Sequence, residues 1–217
     1  MELRWYGHAC FLITTEKSTK IITDPYEPGF GGKILYGPVP DKADIVTVSH
    51  DHGDHNYVEG LPGKPQVIKG PGRHEAKGMV FEGIATYHDE SGGSQRGTNT
   101  IFTFVADDIR VCHLGDLGHV LREQEVRAIG GVDVLLIPVG GFYTIGPTEA
   151  TRVVTQLSPK FVVPMHFQTD KCKLPIGPVD AFLEHKRTVK KIDGSRYSLT
   201  KKDLRAGLEV VVLQPAL

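Results

Sequence analysis

Residues 50–55 read His50-Asp51-His52-Gly53-Asp54-His55. Imidazole and carboxylate are the side chains that hold divalent cations, and here they are packed into a single short stretch. The stretch follows Ala43-Asp44-Ile45-Val46-Thr47-Val48-Ser49, an apolar run with strand character. A rigid strand that ends in a short loop holds ligands in fixed geometry. Side chains alternate along an extended chain, so His50 and His52 share one side of it. A turn at Gly53 can swing Asp54 and His55 towards a second point. One strand end can therefore serve two adjacent cations. An isolated H-x-H in a polar loop would carry little weight; four ligand-type residues directly behind an apolar strand argue against a merely solvated loop.

A two-cation hydrolytic site needs about six or seven protein ligands. Three further candidates stand at the ends of other strand-like runs. His88 follows Ile84-Ala85-Thr86-Tyr87, Asp116 follows the run from Ile109 to Gly115, and His166 follows Phe161-Val162-Val163-Pro164-Met165. Each alone could be a hydrogen-bonded surface group; together with residues 50–55 they complete a site. His113 lies three residues before Asp116, and in an extended strand it faces the other way. It is expected to be buried and hydrogen-bonded. His119, three residues after Asp116, is either a substrate contact or a helix-entry residue. His8, after Gly7, is open between the same two kinds of role. His74 and His185 are expected on the surface. Ser49 has no free base, and Ser91 and Ser94 lie in a polar, Gly-rich loop expected to be flexible, so no covalent nucleophile is indicated.

The elements that must position these residues can be read from periodicity. Residues 9–13 and 20–23 form a predicted hairpin that ends at Asp24-Pro25. Residues 29–40 and 89–99 are rich in Gly or Pro and read as loops. Short strands are expected at 66–68 and 79–81, and a hairpin at 101–105 and 109–113. The second half alternates: a helix over 121–129, a buried strand over 132–139, a helix opened by Pro147, a strand over 160–164, a helix over 180–190 and a strand over 208–213. In the Pro147 helix, Ala150, Val153, Val154 and Leu157 are spaced for one face. Two sheet-forming halves with helices outside predict a single α/β domain over 1–217, a four-layer αββα sandwich. The loops 29–40, 89–99 and 140–146 are expected to border a pocket, with Phe142 and Tyr143 either touching substrate or packing a loop.

The chain has 217 residues, 40% hydrophobic and 24% charged, with a formal net charge of -1. That is ordinary for a globular protein and gives no global drive towards nucleic acid or an anionic membrane. Residues 184–205 are locally basic, eight Lys/Arg against three Asp/Glu, which reads as a solvated face. Cys10, Cys112 and Cys172 are odd in number and fit no zinc ribbon or redox pair; Cys10 and Cys112 are expected in the core. With no basic-then-apolar leader and no stretch of membrane-spanning length, the expectation is a cytoplasmic protein with a small-molecule substrate and no membrane partner.

The order H-x-H-x-D-H, then His, then Gly-Asp, then a strand-terminal His resembles the metallo-β-lactamase-fold hydrolases. Trp5-Tyr6-Gly7-His8-Ala9-Cys10-Phe11, Thr23-Asp24-Pro25, His113-Leu114-Gly115-Asp116-Leu117-Gly118-His119, Ile137-Pro138-Val139-Gly140-Gly141 and Pro164-Met165-His166 are similar to the small single-domain, zinc-dependent branch with its lactonase-like and phosphodiesterase-like members, ascorbate-phosphate lactonase relatives included. The resemblance runs from Leu3 to His166. It implies a first cation on His50, His52 and His88, a second on Asp54, His55 and His166, and Asp116 between them. Asp24 would steady a ligand histidine from behind, as outer carboxylates do.

Two such cations would activate a water for attack on an ester, lactone or phosphodiester, with Asp54 and Asp116 orienting it and Asp54 able to relay a proton. Zinc is the expected metal, with manganese or iron able to use the same ligands. Two other readings compete. One is a mononuclear iron thiol dioxygenase; diiron relatives typically carry Glu where this chain has His52, which favours hydrolysis. The other is a nucleic-acid-binding or -processing protein that keeps the same metal site, with the basic C-terminal stretch as its support.

Overall fold

The computed structural model describes residues 1–205 and 207–217. In chain order its strands are β1 (Glu2–Gly7), β2 (Cys10–Thr14), β3 (Lys20–Thr23), β4 (Ile45–Val48), β5 (Gln66–Lys69), β6 (Gly72–Ala76), β7 (Met79–Tyr87), β8 (Thr98–Ala106), β9 (Ile109–His113), β10 (Val134–Pro138), β11 (Phe161–Met165), β12 (Val189–Lys191), β13 (Arg196–Ser198) and β14 (Glu209–Val212). The helices are α1 (Glu123–Ile129), α2 (Pro147–Leu157) and α3 (Asp180–Leu183). One sheet has the order β13-β1-β2-β3-β4-β5, the other β12-β14-β11-β10-β9-β8-β7-β6.

Alternation along the strands builds the sandwich. Leu3, Trp5, Phe11, Ile13, Ile21 and Ile45 of the first sheet pack in one core with Phe81, Phe104, Val111 and Leu136 of the second. Their neighbours Tyr6, Cys10, Leu12, Ile22, Val46 and Val48 point the other way, into a second cluster. That outer cluster is closed by Tyr26, Ile34, Tyr36, Val39 and Leu61. The layer outside the first sheet is thus irregular chain with 3-10 turns at Phe30–Gly32 and Val58–Gly60, whereas α1 and α2 pack on the second sheet. Cys10, Cys112 and Cys172 are all buried and free.

Several expectations are corrected. The two sheets are not two halves of the chain, because β13 returns to pair antiparallel with β1. The helix expected over 180–190 stops after four residues; the chain leaves it at Glu184 and at His185, whose φ is 62°. Val189–Lys191 then pairs parallel with Val210–Val212, so strand pairing overrides local helical spacing. α1 begins at Glu123 rather than 121, where the Glu125 carboxylate accepts the Arg122 N–H at 2.6 Å and fixes the start. Among the described residues no helix is long and apolar enough to cross a membrane.

Pairing directions determine where function can sit. β1, β3 and β4 run one way in the first sheet. In the second, β7, β9, β10 and β11 also run parallel to one another. The residues just beyond these strands include His8, Asp24, His88 and His166. His8, Asp24 and His166 all have positive φ, 52°, 37° and 49°, an uncommon conformation for residues other than Gly. There the chain turns sharply off its strand.

Candidate metal centre

The strand-end residues meet at one rim of the sandwich. After β4, Ser49 donates its N–H to Asp24 Oδ1 at 2.8 Å and its hydroxyl to Asp24 Oδ2 at 2.5 Å. The following turn closes through His55 N–H to His52 O at 2.9 Å. It brings His55 back so that its Nδ1 donates to Asp24 Oδ2 at 2.9 Å. The bond fixes the tautomer and turns His55 Nε2 inward. Asp51, by contrast, faces out, bound by Asn56 and Lys69.

Asp116 stands at the centre. Its Oδ2 lies 3.1 Å from His88 Nε2, 3.2 Å from His55 Nε2, 3.4 Å from His166 Nε2 and 4.0 Å from His50 Nε2. Asn99 holds it in place: Asn99 Oδ1 accepts the Asp116 N–H at 3.0 Å, and Nδ2 donates to Thr86 Oγ1 and Leu114 O. The glycines of His113-Leu114-Gly115-Asp116-Leu117-Gly118-His119 permit this approach. Gly115 has φ 55°, and a Cβ on Gly118 would meet the His88 carbonyl carbon at 2.2 Å.

Two imidazole groups flank this carboxylate. His50, His52 and His88 have ligand atoms within 4.8 Å of one another, and so do His8, His55 and His166. Asp54 Oδ2 lies 3.3 Å from His8 Nε2 and 4.0 Å from His55 Nε2. Burial pushes His50 down to about 3 and His8 to about 4, which keeps both imidazoles neutral near pH 7. Burial also opposes the charged form of Asp116, yet the surrounding imidazoles, His166 first, hold its carboxyl well below the usual range.

The donor set fits a cation. His8 Nδ1 and Nε2, His55 Nε2 and Asp116 Oδ1, all at the centre, are buried with no hydrogen-bond partner of good geometry among the described residues. Buried polar atoms are nearly always satisfied, and these cluster among the imidazoles and carboxylates that ligate divalent cations. Divalent cations among them would supply what the protein does not.

The structure brings His50, His52, Asp54, His55, His88, Asp116 and His166 together, with Asp24 directly behind His55. His113 is turned away: its Nε2 donates to Ala9 O at 3.0 Å and its Nδ1 accepts the Gly115 N–H. His119 does not line the cavity described below. It is buried, its Nδ1 donates to Val120 O at 3.0 Å, and its Nε2 faces the Tyr87 N–H and Glu125, which, of its two open roles, fits the one at the entry to α1. His185 is exposed and His74 bonds Gly70 O.

A cavity of about 550 Å³ opens over the centre. It is lined by His52, Asp54, His88, Asp116 and His166 and walled by Phe30, Lys33, Arg96, Tyr143 and Leu174. Residues 89–97 look flexible by composition, but Asp89 knots them. Its carboxylate accepts the N–H groups of Ser91, Gly93, Gln95 and Arg96 at 2.7–3.0 Å. Burial opposes the charge, and the four N–H groups outweigh it, holding the carboxyl at about 2. Arg96 is thereby set at the cavity mouth, its guanidinium 5.6 Å from the Tyr143 ring centre. Neither Arg96 nor Lys33 makes an ion pair among the described residues. Lys33, Arg96 and Leu174 had no signal in the sequence, since a lone cation or Leu in a loop has no pattern.

Comparison with known proteins agrees with this architecture. Residues 2–166 match the family described as a beta-lactamase superfamily domain. A UPF0173 metal-dependent hydrolase of Thermococcus onnurineus is 30% identical over 195 residues, 78% of this chain and 85% of that protein. A Thermotoga maritima chain named as a Zn-dependent hydrolase of the metallo-beta-lactamase superfamily superposes with a TM-score of 0.80 at 38% identity, covering 98% of this chain and 99% of that one. A metallo hydrolase of Ignicoccus hospitalis, at 20% identity and a TM-score of 0.66 over 100% of this chain and 96% of its own, shares the fold. The chain belongs to the metallo-β-lactamase superfamily, among its metal-dependent hydrolases.

Proposed function

We propose that the protein is a two-cation hydrolase of a small anionic ester, with a phosphodiester as the best fit. The observation that carries the two-cation reading is Asp116 Oδ2, which faces His88 and His50 on one side and His55 and His166 on the other. His50, His52 and His88 would hold one cation, Asp54, His55 and His166 the other, and Asp116 would bridge. Zinc suits the imidazole-rich set, with manganese or iron able to replace it. When bound, the pair would polarise the electrophilic oxygen and bring the pKa of a shared water towards neutrality.

The remaining work falls to the chain. Burial opposes the Asp54 charge, but the His55 and His8 imidazoles hold its carboxyl well below the usual range. It stays ionised and orients the attacking water rather than storing its proton. Asp116, fixed by Asn99, does the same from the opposite side. Arg96 and Lys33 supply two uncommitted cations at the mouth, a match for a charged substrate, while Phe30, Tyr143 and Leu174 offer an apolar wall.

The test is a screen of metal-reconstituted protein against phosphodiesters, lactones, thioesters and neutral esters, with metal content measured alongside. The expected result is two metals per chain and a preference for the charged phosphodiester. Arg96→Gln should raise KM for that substrate by about tenfold, the loss of one charge-assisted contact, and leave KM for a neutral ester unchanged. At most one metal after reconstitution, or equal KM effects on charged and neutral esters, would overturn the reading.

A further inference from the structure

One titratable side chain outside the seven assigned ligands faces the same centre. His8 follows β1 in the left-handed conformation that Asp24 and His166 also adopt. Its carbonyl accepts Trp5 Nε1–H at 3.0 Å and the His166 N–H at 3.1 Å, so its backbone is tied to a ligand strand. Its imidazole is buried, with the ring centre 4.1 Å from that of His166 and 4.9 Å from that of His55.

The contrast with His113 decides between a structural role and a ligand role. His113 is equally buried and uses both ring nitrogens on backbone partners. His8 uses neither on the backbone: Nδ1 has no partner, and Nε2 faces only Asp54 Oδ2, at 3.3 Å. A buried imidazole kept only for packing would be destabilising with Nδ1 unpartnered and Nε2 near nothing but the Asp54 carboxylate, and an apolar residue of similar size would avoid the cost. Its nitrogens face two imidazoles and a carboxylate, all of them cation ligands by type.

We propose that His8 is a ligand of the second cation. The inference rests on the two-cation reading above. That site then has three imidazoles, His8, His55 and His166, with Asp54 and the shared Asp116. The first has His50, His52 and His88 with Asp116. The two sites differ in donor number, and hence in the ion each suits. The smaller set, with the shared water, fits zinc at four to five ligands, and the larger fits an ion that takes six ligands readily, such as Mn²⁺, Fe²⁺ or Co²⁺.

The test titrates the metal-free full chain with Co²⁺, following binding and visible absorption for the wild type, His8→Asn and His113→Gln. Asn accepts the φ of position 8. The wild type should take two Co²⁺, the more weakly absorbing one six-coordinate. His8→Asn should keep one site at wild-type affinity and lose at least about tenfold at the other, where even disturbing an outer partner of a ligand costs that much. The absorption of that second equivalent should change as a donor is lost. The metal-free melting temperature should fall less for His8→Asn, which loses packing and the single Asp54 contact, than for His113→Gln, whose two ring nitrogens are both bound to backbone. Two sites of unchanged affinity and spectrum in His8→Asn would overturn the inference and leave the two-cation reading standing. A single Co²⁺ in the wild type would overturn both. If His8→Asn and a second variant, His8→Ala, both fail to fold without metal, His8 is structural and the inference falls.

Discussion

Replacing Asp24 by Asn exchanges one oxygen for an NH₂ group and removes a charge at a fully buried position. The backbone there has φ 37°, which Asn tolerates as Asp does, so the change is one of hydrogen bonding. The native carboxylate accepts three bonds: Ser49 N–H on Oδ1 at 2.8 Å, then Ser49 Oγ–H at 2.5 Å and His55 Nδ1–H at 2.9 Å on Oδ2. The amide can offer oxygen to only one side. If it keeps the Ser49 N–H, its NH₂ faces two former donors. The Ser49 hydroxyl can rotate and accept, but His55 can accept only by moving its proton to Nε2. That nitrogen faces Asp116 at 3.2 Å and could then no longer ligate. If the amide flips, two N–H groups oppose each other in a buried space. The bonds lost are charge-assisted, about 1.5–3 kcal/mol each, partly offset because a buried charge is removed as well. A net loss of about 2 kcal/mol lowers the metal-free melting temperature by about 4–8 °C in a chain of this size. The tautomer change should weaken the second cation by about ten- to a hundredfold, the scale for outer partners of ligand histidines. Chelator-competition titrations and melts measure both. An affinity within about threefold of wild type, at a melting temperature within about a degree, would refute the claim that Asp24 governs the His55 tautomer.

Asp116→Asn should cut turnover by at least about a hundredfold, while His113→Gln should lower the melting temperature with less effect on rate; the rates, melts and metal contents of both variants on one substrate check this, and metal loss confined to His113→Gln would reverse the assignment. Metal binds residues from His50 to His166, so chelation should lower the melting temperature, by the equivalent of about 4 kcal/mol if metal is first present at about a thousandfold excess over its Kd; an unchanged melt with removal verified would count against ligands drawn from several strands. The Asp89 carboxyl is held below its ordinary value, at about 2, so its contribution is complete above the unfolded pKa near 4 and is lost as pH falls through about 2. The stability gap between metal-free wild type and Asp89→Asn, measured by denaturant melts, should therefore close across that acid window and be constant above it; a gap that persists at the acid end would show the loop to be held by something else.

What the sequence made legible follows from where side chains are buried. β10 and β11 are continuous apolar runs because both faces are covered, and α2 shows its buried stripe because one face is. β6, β12 and β13 are Gly72–Ala76, Val189–Lys191 and Arg196–Ser198, mostly exposed strands without a period. β12 and β13 exist through pairing with β14 and β1, partners far along the chain, and β6 is held by the tight turn into β7, none of which local hydrophobic spacing carries. The same reason ended the helix expected over 180–190.

The site divides in a similar way. Ligands clustered in residues 50–55 are legible because local crowding of one chemistry is improbable by chance. The groups that aim those ligands are not, because each is one ordinary residue made special by a distant partner. Asn99 is tied to Asp116 and Asp24 to Ser49 and His55. Asp89 appeared only as the edge of a flexible loop, yet its four backbone contacts stiffen that loop and point Arg96 at the cavity. His8 lacked that signal in the sequence, where no strand is expected before it; in the structure it stands directly after a strand, β1, as Asp24, His88 and His166 stand after theirs. Position relative to a strand end carries more information here than residue type, because parallel strands gather their C-terminal ends at one rim. A histidine placed there is brought to the centre by the topology, whatever its immediate neighbours in sequence.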